Sequence, residues 1–200
     1  MKTAERIIAL ALVTALALWV VFAASSARTC GESDAAVERL LHWELRAALD
    51  GQTVHVTAAE EAAGPAEAPF SLRAFESSGG RPGLAVFSHS GGKMKLEHTV
   101  LWPYTEQVLG AYAVSLYSPD RQEQKEYNIF LVLDARVASM EETRYYGPGA
   151  SPTPLPGAVQ SGLRAPCIVA FPAPEPSAAW HVGGYVCRDA SGAVVTELGG

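Results

Sequence analysis

The segment Ser88-His89-Ser90-Gly91-Gly92 holds the residue types that come closest to a catalytic motif in this chain. It is similar to G-x-S-x-G, the sharp turn that presents a nucleophilic serine between a strand and a helix, but Ser88 replaces the first glycine. The motif also needs a helix after the serine, whereas the residues from Lys93 to Trp102 have the pattern of a strand. The sequence therefore predicts a β-hairpin turn here and not a nucleophile.

The histidines offer one arrangement that a metal could use. His89 and His98 could face each other across the predicted hairpin with Met94 nearby, and a soft copper site would accept these ligands. A blue-copper site would also need a cysteine followed closely by histidine and methionine, and neither Cys167 nor Cys187 has them. No HExxH motif occurs. The sequence therefore predicts surface histidines and no metal, with a metal-binding hairpin as the alternative.

The remaining motifs for catalysis or cofactor binding are also incomplete. Glu141 and Glu142 lie together at the end of a predicted strand, where a solvated rim is expected. The segment Gly147-Pro148-Gly149 does not continue as G-x-G-x-x-G, and proline lacks the backbone donor that phosphate-binding loops use. We therefore expect no catalytic residue and no cofactor, and we interpret the chain as non-enzymatic.

Aromatic and proline side chains are the best candidates for contacts with another protein. Exposed aromatic residues mark partner surfaces when they cluster, and stiff proline-rich backbone loses little entropy on docking. The alternatives are ordinary sheet residues and rigid connections. The predicted partner surface consists of Trp43, Trp102, Tyr104, Tyr145, Tyr146, Pro152 and Pro154.

Three cysteines suggest one disulfide and one remaining thiol in an oxidising compartment. Cys167 and Cys187 each lie in an apolar stretch that resembles a strand, whereas Cys30 follows the apolar N-terminal segment. The predicted bridge is Cys167–Cys187. It would close a loop of roughly 20 residues and contribute about 3 kcal/mol.

The N-terminal segment determines the predicted location of the protein. Ile7 to Ala24 carries no charge, and as a helix it is just long enough to cross the hydrocarbon core of a bilayer. Lys2 and Arg6 precede it, so the N-terminus is expected to stay in the cytoplasm. The alternatives are a signal peptide that is cleaved after Ala27 and a buried soluble helix. The predicted anchor positions are Ile7, Leu12, Leu16, Trp19 and Phe22.

Charge limits the classes of partner. A net charge of −6 and a pI of about 5.4 argue against nucleic acid, which requires clustered lysine and arginine. The apolar N-terminal segment leads us to expect membrane lipid and other membrane-protein subunits as partners instead.

The sequence divides into a cytoplasmic tip (1–6), a transmembrane anchor (7–27), a juxtamembrane segment with a short amphipathic helix (28–51) and a β-domain (52–200). Val37, Leu40, Leu41 and Leu45 follow the spacing of one apolar helix face, and Gly51 would end the helix. Patterns typical of strands follow at 53–57, 70–76, 84–88, 94–102, 108–117, 126–137, 164–171, 180–187 and 193–198.

Short strands at this spacing predict a mainly β protein with an antiparallel β-sandwich. The stretch from Leu155 to the last hairpin resembles immunoglobulin-like envelope modules, although it lacks the Cys…Trp…Cys spacing of true immunoglobulin domains. The resemblance implies an immunoglobulin-like architecture without implying a family.

These patterns together predict a non-enzymatic, single-pass protein of a bacterial inner membrane whose β-domain lies in the periplasm. It would act as an accessory, assembly or scaffold subunit of a larger membrane complex. The alternative is a periplasmic domain that binds a ligand or a metal.

Overall fold

The computed structural model describes residues 13–16, 18–19, 28–63, 69–90, 92–118, 123–146, 155–173 and 180–199. The fold is mainly β, with 57% strand, and its strands pair antiparallel. The prediction of a mainly β, antiparallel protein is therefore confirmed.

From residue 28 onward the described residues form two helices and twelve strands, and residues 13–16 and 18–19 are also helical. The helices are α1 (Asp34–Glu44) and α2 (Arg46–Leu49). The strands are β1 (Thr29–Cys30), β2 (Val54–Ala63), β3 (Pro69–Ser77), β4 (Pro82–Ser90), β5 (Lys93–Leu101), β6 (Val108–Ser118), β7 (Glu123–Val132), β8 (Ser139–Tyr146), β9 (Leu155–Ser161), β10 (Cys167–Pro172), β11 (Trp180–Arg188) and β12 (Val194–Gly199).

The predicted amphipathic helix is present but is interrupted near its end. Val37, Leu40 and Leu41 are buried along one face of α1, as the spacing predicts. Leu45 leaves the helical conformation and separates α1 from α2. Asp50 then adopts a left-handed conformation with φ of 48°, one residue before the predicted stop at Gly51.

Sheet A has five strands in the order β1-β5-β4-β3-β2. Strands β2 to β5 are successive neighbours along the chain, whereas β1 pairs with β5 through Thr29 opposite Lys95 and Cys30 opposite Met94. The helices connect β1 at one edge to β2 at the other. Glu38 on α1 fixes this connection by accepting a 2.9 Å hydrogen bond from the Val56 backbone N–H on β2.

The other strands form two smaller sheets. Sheet B has the order β10-β7-β6, and sheet C has the order β12-β11-β8-β9. Proline disfavours a central strand, and β9, which contains Pro156, lies at the edge of sheet C.

Three hydrophobic cores connect the helices and the sheets. The helix–A core joins α1 and α2 to one face of sheet A, and the A–B core joins the opposite face to sheet B. The B–C core joins sheet B to sheet C. Alternation along β7 explains how one strand serves two cores: Ile129 and Leu131 face sheet A, whereas Phe130 and Val132 face sheet C.

The finer predictions concern the sandwich arrangement of the strands and the membrane anchor. The immunoglobulin-like sandwich is not confirmed, since the described strands divide into three sheets and the chain forms three additional short strands, β1, β8 and β9. The part of the chain that the structure describes contains no helix that is long and apolar enough to cross a membrane. Leu16 and Trp19 are helical and exposed, while Ile7, Leu12 and Phe22 lie outside the described residues.

Candidate functional site

The arrangement closest to a catalytic one lies on the helix side of sheet A. Ser71 on β3 and His89 on β4 lie on neighbouring strands, with Ser71 Oγ 2.7 Å from His89 Nε2. The other ring nitrogen, Nδ1, lies 3.8 Å from Glu32 Oε1. This order of serine, imidazole and carboxylate is the order of groups in a hydrolase triad.

The burial of Ser71 argues against a catalytic triad. The exposed fraction of Ser71 is 0%, so its hydroxyl has no path to a substrate. The 3.8 Å between Glu32 and the imidazole is also longer than the hydrogen bond that orients a catalytic histidine. The cluster therefore provides a hydrogen-bonding partner for a buried serine. Sequence reasoning missed it because only the strand register brings Ser71 and His89 together.

A buried guanidinium lies beside the same cluster. Arg73 on β3 is 8% exposed, and it donates a 3.0 Å hydrogen bond from Nη1 to the Leu72 carbonyl. Its Nη2 lies 4.0 Å from Met94 Sδ. Burial raises the pKa of Cys30 and the charge of Arg73 partly opposes that rise. Cys30 therefore remains a protonated thiol at neutral pH, which is a weak nucleophile.

The histidine pair suggested for metal binding is not formed. His89 lies opposite Met94, as the hairpin predicts, but His98 lies opposite Val86. A β-bulge at Glu97 shifts the register, so His98 shares the face of Val86, which belongs to the A–B core side. His89 lies on the other face of the sheet. In the described residues, no group of three or more His, Cys, Asp or Glu side chains could hold a metal ion.

The hairpin turn itself agrees with the sequence. Ser90 pairs with Lys93, which leaves a two-residue connection of glycines. Gly92 has φ of 74°, a conformation that glycine adopts without strain. The prediction of a β-hairpin at this segment is therefore confirmed.

The cysteines are free thiols in the structure. Cys30 and Cys167 are half-buried and Cys187 is buried, so the predicted Cys167–Cys187 bridge is not formed. The two residues lie on sheets B and C and contribute to the same B–C core. Burial, with a smaller effect from Asp134, raises the pKa of Cys187 to about 11. Cys187 acts as a small apolar core residue.

An acidic side chain is buried at the B–C core, where a solvated rim was expected. Glu142 on β8 is 1% exposed and lies 2.5 Å from the Nε of Arg144, whereas Glu141 remains half exposed. Strand alternation explains the difference, because Glu142 lies opposite Tyr185 and faces the core. Nearby, Asn128 donates a 2.6 Å hydrogen bond to the Tyr185 hydroxyl.

A surface cavity of about 290 Å³ is a place among the described residues at which a ligand can be considered. It lies where the β3–β4 turn meets the connection from β5 to β6 and the segments that precede β8 and β10. Its lining consists of Thr57, Phe75, Glu76, Gly80, Pro82, Tyr104, Thr105, Glu106, Leu133, Ala135, Ala165 and Pro166. We call it the Tyr104 cavity.

Tyr104 is held at the entrance of this cavity by local contacts. Its hydroxyl donates a 2.9 Å hydrogen bond to Glu106 Oε1, and its ring lies next to Gly80. A Cβ atom at Gly80 would be 3.1 Å from the ring and 3.7 Å from Glu76 Oε1, so the ring and the Glu76 carboxylate are neighbours. The hydrogen bond to Glu106 and the charges of Glu106 and Glu76 raise the pKa of Tyr104.

The predicted partner residues that the structure describes lie on α1, after β5 and on β8. Trp43 is 56% exposed on α1, with the Arg46 guanidinium 4.2 Å above its ring. Trp102 packs against the A–B core, next to the exposed Tyr104. Tyr145 lies on the face of sheet C that points away from the B–C core, and its ring covers Gly183. Tyr146 ends β8, and Pro152 and Pro154 lie outside the described residues.

Comparison with known proteins gives no relative. No protein family, curated protein or solved structure matches the chain. The geometry above is therefore the basis for the function that we propose.

Proposed function

We propose that this chain is a non-enzymatic, single-pass membrane protein whose N-terminus is cytoplasmic and whose β-domain lies in the periplasm. It acts as an accessory, assembly or scaffold subunit of a membrane-protein complex. The proposal includes a head in which sheets A, B and C stack as a β-sandwich on one another through their shared cores.

One observation carries the membrane part of the proposal. Val13, Leu16, Leu18 and Trp19 are helical, and each has an exposed fraction between 63% and 69%. At 100° per residue these positions point to all sides of a helix. A helix that is apolar on every side and that no protein covers is suited to lipid.

The described head starts at Arg28, close in sequence to the apolar segment, which supports a subunit held close to the bilayer. The Arg28 carbonyl accepts a 2.8 Å hydrogen bond from the Leu96 N–H, and the Arg28 side chain pairs with Glu44 on α1. Strand β1 starts at the next residue. A short connection of this kind would fix which face of the head meets other membrane subunits.

Extraction of vesicles tests the anchor. Full-length protein should stay in the membrane pellet after an alkaline carbonate wash, and protease should reach the head only from the periplasmic side. A Leu16→Arg/Leu18→Arg variant should be released, because arginine at the centre of a bilayer is unfavourable by about 3 kcal/mol per residue. Release of the unchanged protein would contradict the proposal.

Chemical labelling tests the non-enzymatic part. Since Ser71 is fully buried, a fluorophosphonate probe should not label the native protein. The Ser71→Ala variant is the control. Labelling that disappears in this variant would show that Ser71, His89 and Glu32 form a working nucleophilic site.

Co-purification tests the role as a subunit. After mild detergent extraction, the protein should elute with other membrane proteins at a mass above that of the 21.1 kDa chain in its micelle. A protein that elutes only as a monomer would contradict a subunit role.

A further inference from the structure

The Tyr104 cavity combines an apolar floor with an acidic, aromatic entrance. Phe75, Pro82, Leu133 and Pro166 supply apolar lining, while Glu76 and Glu106 supply two carboxylates. Tyr104, 66% exposed, places its phenol ring beside them. A ligand that fits has an aliphatic part for the floor and a positive charge for the entrance.

The carboxylates at this entrance form no ion pair with a lysine or arginine of the lining. Glu76 and Glu106 are the charged members of the lining within the described residues, and no lysine or arginine accompanies them there. Arg81 precedes the lining residue Pro82, but its guanidinium donates to the Ala48 and Trp102 carbonyl oxygens. The raised pKa of Tyr104 is a second sign of negative potential. Phosphates and other anions are therefore disfavoured.

The volume of the cavity and its apolar floor distinguish between the cations that could bind at the acidic entrance. About 290 Å³ is at the lower end of the range for ligand sites, enough for one side chain and too small for most cofactors. A bare metal ion would gain nothing from the apolar floor. Arginine and lysine carry an aliphatic stem below the charge, and their cations also bind the faces of aromatic rings.

We propose that the Tyr104 cavity binds an arginine or lysine side chain of a partner subunit. The stem lies on the Phe75–Pro82 floor, and the cation lies between the Tyr104 ring and the carboxylates of Glu76 and Glu106. This inference rests on the proposed role as a subunit, and it names the chemistry by which the partner is recognised.

Peptide titration against the full-length protein in detergent tests the inference. The probe is an acetylated, amidated pentapeptide with arginine at its centre and glycine at the other positions. The matched probe carries citrulline, which keeps the shape of arginine without the charge. We expect saturable calorimetric binding of the arginine peptide and binding of the citrulline peptide that is about tenfold weaker.

Variants locate the binding site. Glu76→Gln/Glu106→Gln and Tyr104→Leu should each weaken binding of the arginine peptide by about tenfold. Glu197→Gln on β12 is the matched control because it removes an exposed carboxylate elsewhere, and it should bind like the unchanged protein. Circular dichroism checks that each variant is folded, and the comparison of the two peptides requires no variant.

Three results would overturn the inference. These are equal affinities for the arginine and citrulline peptides, the absence of saturable binding at millimolar peptide, and tighter binding of free tetramethylammonium than of the arginine peptide. None of them depends on membrane anchorage. Failure here would therefore leave the carbonate result standing, and failure of the anchor would leave the peptide result standing.

Discussion

Glu142 is the acidic side chain that lies deepest among the described residues, and its partner Arg144 is only partly covered. Replacement by glutamine removes the charge that pairs with Arg144 and leaves the guanidinium with a neutral neighbour. Removing one member of a buried ion pair typically destabilises a protein by about 3–5 kcal/mol. Because Arg144 keeps some contact with solvent, we expect Glu142→Gln to lower the free energy of unfolding by about 2–3 kcal/mol.

The adjacent residue provides a matched control for this prediction. Glu141 lies 3.7 Å from Arg188 and is half exposed, so Glu141→Gln should change the free energy of unfolding by less than about 0.5 kcal/mol. Urea unfolding in detergent, followed by circular dichroism, measures both. Equal effects of the two substitutions would contradict the assignment of Glu142 to the B–C core.

The buried thiol of Cys187 leads us to predict that the free energy of unfolding falls at high pH. Its folded-state pKa of about 11 lies above the ordinary value of 9.0, so the folded protein favours the protonated thiol. The resulting stability is complete below pH 9 and is lost as the pH rises toward 11. Cys187→Val removes the titrating group, so the decline in the free energy of unfolding should be shallower in the variant. Identical pH profiles would show that the thiol is not buried.

The candidate sites at the residue scale could be predicted only in part. The β4–β5 hairpin with its turn at Gly92 follows from local sequence. The contact between Ser71 and His89 does not, since it depends on the diagonal relation of two strands. The Tyr104 cavity depends on five separate chain segments. Tyr104 was among the predicted partner residues, but Glu76 and Glu106 gave no signal that would distinguish them from other surface acids.

At the scale of elements, the β4–β5 hairpin depends on one backbone conformation. Gly92 has φ of 74°, which costs an alanine about 1 kcal/mol. We expect Gly92→Ala to lower the free energy of unfolding by about that amount. Gly199→Ala is the control, because Gly199 has no neighbour near its Cβ position and an ordinary φ. Chemical denaturation of both variants measures the difference, and equal stabilities would contradict the turn geometry.

The helices and strands with a clear apolar periodicity were the elements that the sequence predicted best. Helix α1 and most strands have a clear periodicity, and they were predicted close to their observed bounds. Strand β8 was missed because Glu142 and Arg144 occupy core-facing positions where apolar residues are expected. The bulge opposite Val86 was missed for a different reason. Its extra residue, Glu97, is polar, and β5 already mixes polar and apolar residues. The sequence pattern therefore does not show that His98 has moved to the opposite face of the sheet.

At the scale of the whole molecule, the position of strand β7 between two cores leads us to predict cooperative unfolding. Ile129 contributes to the A–B core and Phe130 to the B–C core, and both are 0% exposed. Ile129→Ala and Phe130→Ala should each lower the free energy of unfolding by about 2–5 kcal/mol within one shared transition. Val159→Ala, on an exposed position of β9, should change it by about 0.5 kcal/mol. Two transitions, each sensitive to only one substitution, would show that the cores unfold independently.

The division into three sheets could not be predicted from the strand patterns. Strand β10 is separated from β7 by β8 and β9 along the chain, yet it pairs with β7 and completes a sheet with two buried faces. Its continuous apolar run, Cys167 to Phe171, is typical of a strand buried on both sides. That run indicates burial but not the neighbour with which the strand pairs.

The position of β1 has a consequence for the order of events during synthesis. Thr29 leaves the ribosome well before Lys95, its partner across the edge of sheet A. Until β5 has been translated, β1 has no template, and α1 has only an incomplete surface on which to pack. The nascent chain therefore passes through a stage at which its first strand is unpaired and open to a chaperone.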